Sequence, residues 1–91
     1  MSDGTLIFVS TGNYAVLQTN EGFVVSVLFP NFYKNSHFDV SKDFLLDIDS
    51  LIKARDFEAL DRLADDIRRN YNAYKPKEVA QVNMTGKELI K

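Results

Sequence analysis

The chain has no cysteine, no tryptophan and one histidine, His37. Without cysteine there is no disulfide framework, no thiolate metal site and no cysteine nucleophile. A single histidine also leaves too few ligands for a zinc centre. Glycine-rich nucleotide signatures are missing. No Gly-x-Gly-x-x-Gly occurs, and Gly86-Lys87 lacks the preceding glycine and the following Ser or Thr of a phosphate loop. Asp47-Ile48-Asp49-Ser50 opens like a calcium loop but continues with Leu51 and Ile52 where a further oxygen ligand and then a glycine belong. No apolar run approaches the ~20 residues of a membrane span, and no basic stretch followed by an apolar core marks an export signal at the start. These absences predict a cytoplasmic protein with no membrane contact, no metal and no cofactor.

What is present is ordinary for a globular chain: 45% hydrophobic and 26% charged residues over 91 positions. That suits one domain, 1–91, with one core. Residues 5–29 read as a β-meander. Thr5 to Ser10 is rich in β-branched and aromatic residues, and Tyr14 to Thr19 follows a Thr11-Gly12-Asn13 turn. Asn20-Glu21-Gly22 then turns the chain into Phe23 to Phe29. In that third strand Phe23, Val25, Val27 and Phe29 point one way, and Val24, Ser26 and Leu28 the other. Both faces are largely apolar, which predicts a central strand.

Residues 42–74 read as two helices. Ser41 is placed as an N-cap, with Phe44, Leu45, Ile48, Leu51 and Ile52 on one stripe and Leu46 outside it. Asp56 caps a second helix running to Tyr74, where Phe57, Leu60, Leu63, Ala64, Ile67, Tyr71 and Tyr74 share a face. Residues 79–91 offer a fourth strand, Val79 to Met84, and a tail with the capping-box spacing Thr85 to Glu88. The expected fold is therefore α+β: a three- or four-stranded antiparallel sheet packed against two amphipathic helices. Two helices cover one sheet face. The other is left for a second copy, as a twofold homodimer, or for the chain's own loop or C-terminal segment.

Charge is uneven. Residues 39–66 carry nine acids against four bases, and residues 67–91 six bases against two acids. Helix dipoles account for acids early and bases late; an interaction surface is the sharper reading.

Two constellations remain as candidate sites. The first is the aromatic segment 30–40, where Phe32, Tyr33, Lys34 and His37 are the expected protein-binding residues. Its bland counterpart is aromatic closure of the core end. The second is basic: Arg68, Arg69, Lys75 and Lys77 beside Tyr71 and Tyr74, a pattern that suits a phosphate backbone. Its bland counterpart is that the two tyrosines pack in the core. The first constellation predicts a non-enzymatic protein-binding module, an adaptor or inhibitor; the alternative is a nucleic-acid binder. The stretch Ala54–Ala59 resembles the opening of a tetratricopeptide helix. No repeat of about 34 residues accompanies it, so the resemblance implies nothing further.

Overall fold

The computed structural model describes residues 3–29 and 40–90. The chain runs β1 (Asp3–Ser10), β2 (Tyr14–Thr19), β3 (Gly22–Phe29), β4 (Val40–Leu46), α1 (Asp49–Ala54), α2 (Phe57–Arg69) and a single turn α3 (Tyr71–Tyr74). A 3-10 turn (Lys75–Lys77) then leads to β5 (Glu78–Val79) and β6 (Asn83–Lys87). The fold is α+β, and the six strands form one sheet in the order β5-β4-β3-β2-β1-β6. Neighbours are antiparallel except β1 and β6, which run parallel, so the sheet is mixed.

The meander forms as expected. Gly12 takes φ +75 in the first turn and Gly22 takes φ +137 after the second, conformations that suit glycine. Thr19 and Gly22 pair across the tight hairpin. β1 carries a bulge between Leu6 and Phe8. The extra residue, Ile7, and Phe8 are both buried on the helix side, so the irregularity adds an apolar side chain to the core there.

The first predicted helix is corrected. Residues Val40 to Leu46 are a strand, paired with β3 at every position from Phe23–Leu46 to Phe29–Val40. Phe44 and Leu46 join the helix-side cluster, while Leu45 joins the opposite one. This period of two, combined with an unpaired edge on β3, outweighs the helical propensity of the segment. Helix α1 keeps only the final turn and a half. It ends with Arg55 in the left-handed region (φ 52), its N–H and that of Asp56 reaching back to Ile52 and Leu51.

Helix α2 starts where the sequence placed it. The Asp56 side chain accepts the Ala59 N–H at 3.1 Å. It buries Leu60, Ala64 and Ile67 against the sheet. The second helix does not run unbroken to Tyr74; it stops at Arg69, and Asn70 separates it from α3. Tyr71 and Tyr74 still pack against the helix-side core, as the stripe implied. The predicted fourth strand is also corrected. It is two short strands on opposite edges of the sheet, and Thr85 to Lys87 extends the second of them rather than capping a helix.

That arrangement curls the sheet. Five strand spacings of ~4.8 Å would set the outer edges ~24 Å apart if flat. The four Cα steps from Val79 to Asn83 reach at most ~14 Å. The edges must therefore approach one another, with Ala80, Gln81 and Val82 as a strap between them. Val82 is buried on the face away from the helices, packed with Leu6, Leu17 and Val24. Its N–H is accepted by Asp43 of β4 at 2.8 Å. Beneath it, Gly4 of β1 has no room for a side chain: a Cβ there would stand 2.8 Å from Val82 Cγ1 and 3.2 Å from Leu17 Cβ.

Candidate functional site

On the face away from the helices, residues line up in rows across the strands. Leu6, Leu17, Val24 and Leu45 are register partners and form the row under Val82. The next row is Val9, Ala15, Ser26 and Asp43, and the last holds Leu28 and Ser41. Where Ala15, Ser26 and Ser41 stand in place of the larger Leu17, Val24 and Leu45 of the first row, the face sinks into a shallow pocket of about 200 Å³. Val9 forms part of its wall and is 43% exposed, one of three large apolar side chains left this open among the described residues.

Leu28 and Ser41 lie one residue inside Phe29 and Val40, the last paired positions before the aromatic segment. The candidate binding residues Phe32, Tyr33, Lys34 and His37 lie outside the described residues. Among the described residues that line the pocket, only the Tyr14 phenol is ionisable. They offer apolar contact and hydroxyl or amide hydrogen bonds.

The Tyr14 hydroxyl is committed elsewhere. It donates to Asp61 of α2 at 2.6 Å. Burial, and then the Asp61 carboxylate, push its pKa well above the usual tyrosine range. Two further tyrosines behave alike. Tyr71 donates to Glu78 at 2.5 Å, and Tyr74 donates to Asp66. The hydrogen bond and then burial raise each pKa. Lys42 completes the Tyr71 cluster, 3.5 Å from Glu78 and 5.3 Å from the Tyr71 ring centre. Burial acts against its charge, but Tyr71 and Glu78 outweigh that and raise its pKa. The Tyr14 and Tyr71 bonds tie α2 and α3 to the sheet, and the Tyr74 bond ties α3 to α2.

The basic constellation is dispersed. Arg68 points inward: Nε donates to the Leu28 carbonyl at 2.8 Å and Nη2 to the Asn13 carbonyl at 2.6 Å and to its side-chain oxygen. Nη1 meets Asp65 at 3.1 Å. Arg68 thus ties α2 to the ends of β2 and β3. Arg69 is exposed beside Arg62, Asp65 and Asp66. Lys77 lines a depression with Glu21, Asp47 and Asp49, and Lys75 is exposed on the 3-10 turn.

Sequence reasoning missed Val9, Ala15, Leu28 and Ser41, because they become neighbours only through strand register. It also missed the bond of Asp43 to the remote Val82 N–H. Among the described residues no three His, Cys, Asp or Glu side chains group closely enough to hold a metal, and no helix is long and apolar enough to cross a membrane. No protein-family model, curated protein or solved structure gives a significant match to the chain.

Proposed function

We propose that this chain is a non-enzymatic protein-binding module, an adaptor or inhibitor that acts by occupying a partner's surface. One observation supports the reading: a pocket whose described lining carries no charged side chain has the exposed Val9 on its wall and includes Leu28 and Ser41, next to the paired positions Phe29 and Val40. A buried apolar anchor in a pocket, with aromatic contacts around it, is how small interfaces concentrate affinity. The acidic outer side of α2, with Glu58, Asp61, Asp65 and Asp66 exposed, adds electrostatic steering toward a basic partner surface. The nucleic-acid alternative has less support, because Arg68 is spent on internal bonds and Arg69 and Lys77 sit among carboxylates. Phosphate binding needs several bases facing one way.

The test is capture of partners by the tagged full chain from a lysate of its native cell, with and without nuclease. A specific protein retained after nuclease, and lost with Val9→Asp and with Phe32→Ala, is the expected result. Recovery of nuclease-sensitive material alone, lost with Arg69→Ala/Lys77→Ala, reverses the assignment.

A further inference from the structure

β6 is held differently from every other strand of the sheet. It lies on the outer edge, parallel to β1, with a register shift between Gly4 and Thr5. From Asn83 to Ile90 only Gly86 and Ile90 are partly buried; Met84 is 60% exposed and Leu89 44%. Main-chain bonds continue past the strand, from Glu88 N–H to the Leu6 carbonyl and from Ile90 N–H to the Ile7 carbonyl, both at 2.8 Å. The segment is therefore attached through backbone bonds and little buried side chain, which places it at the low end of local stability.

Its departure would remove one side chain, Ile90, from the margin of the helix-side core and none of the fully buried residues. Val82, clamped by Asp43, is the last fully buried residue, and the second cluster ends with it. What departure would uncover is the edge of β1, a row of unpaired backbone groups that accepts another strand. That edge is selective. The strand must present N–H donors at the spacing of Glu88 and Ile90. It needs a small residue where Gly86 faces Thr5, since a Cβ there would stand 3.3 Å from Thr5 Oγ1. It needs an apolar side chain where Ile90 meets the helix-side core. This chain's own residues 83–90 meet all three conditions.

We propose that residues 83–90 are an exchangeable strand, and that the β1 edge of one chain accepts this segment from a second copy. The result is a strand-swapped, twofold dimer in equilibrium with the closed monomer. This inference does not depend on the pocket beside Val9.

Three measurements on full-length protein test it. In hydrogen exchange, the Glu88 and Ile90 amides of the wild type should exchange at least tenfold faster than those of Val25 and Val27; equal protection overturns the idea. In sedimentation, a dimer should grow with concentration; a monomer at every concentration overturns the swap. The third uses Glu88→Pro/Ile90→Pro, which removes both donors and frees the edge of its own chain. A labelled peptide of residues 83–91 should bind this variant at least tenfold more tightly than wild type, and the same peptide carrying both prolines should not. Loss of the variant's cooperative melt shows the segment to be integral and overturns the proposal, as does equal binding of the two peptides.

Discussion

The two faces of the sheet are buried by opposite means. The helix side is covered by side chains in quantity: Leu60, Ala64 and Ile67 settle on Val16, Val25, Val27 and Phe44, all at or near zero exposure. Aromatic rings extend it, with Phe57 stacked on Phe8 at 4.7 Å and Tyr71 edge-on to Phe29 at 5.5 Å. Among the described residues, the other face is covered by Val82 of the strap, held by one carboxylate bond, with one glycine that makes room. Burial of the first kind is spread over many contacts, so its parts substitute for each other. Burial of the second kind depends on each part separately.

The comparison is broken most severely from the helix side. Ile67→Asp places an unpaired charge at a fully buried site and should abolish the folded state, a loss above about 4 kcal/mol. A wild-type circular dichroism melt for this variant would mean the helix does not cover the sheet. On the strap side, Asp43→Ala leaves the buried Val82 N–H without an acceptor and should cost about 1–3 kcal/mol in urea unfolding. The folded baseline should survive.

Gly4→Ala sharpens the contrast, because its Cβ would collide with Val82 and Leu17. A cost of about 1–3 kcal/mol is expected from such overpacking. Val82→Ala should be partly compensating when combined with it. A double-mutant cycle with no coupling would separate strap from notch.

The mildest effect at neutral pH is that of the Tyr14–Asp61 bond between sheet and helix. Tyr14 has a raised pKa in the folded state, through burial first and Asp61 second. Its contribution is therefore full below the ordinary tyrosine value of about 10 and is lost as pH rises through the higher folded value. Melting temperatures should fall above pH ~10 in the wild type and fall less steeply in Tyr14→Phe. Parallel curves would assign the alkaline loss to Tyr71 and Tyr74.

The meander was legible because its information is local. Turn glycines and period-two alternation lie within a few residues of each other, as did the Asp56 cap and the α2 stripe. The segment 40–46 misled because Phe44, Leu45 and Ile48 satisfy a helical stripe as well as a strand. Leu46, off that stripe, was the sign of a period of two. The apolar character of both β3 faces called for a neighbour on each side, and β2 supplied only one. The strap was illegible for a different reason. Gly4, Asp43 and Val82 are remote in sequence, and no pattern within a window of residues reports their meeting. The candidate pocket shares that fate, since its hollow arises from small residues on separate strands.

The pairing of Asp3 with Asn83 joins nearly the whole length of the chain in one contact. Closing so large a loop costs entropy before any contact repays it, whereas β2 and β3 need close only a two-residue turn. Folding should therefore begin in the β2–β3–β4 hairpins and finish when the strap lays Val82 over the far face. In pulse-labelled refolding, Val25 and Val27 amides should gain protection before those of Val82 and Glu88; simultaneous protection would rule the order out. Until that final step Leu6, Leu17 and Val24 stay open to water and to other chains. The time spent waiting for the strap is then the interval in which a newly made chain is most prone to aggregate.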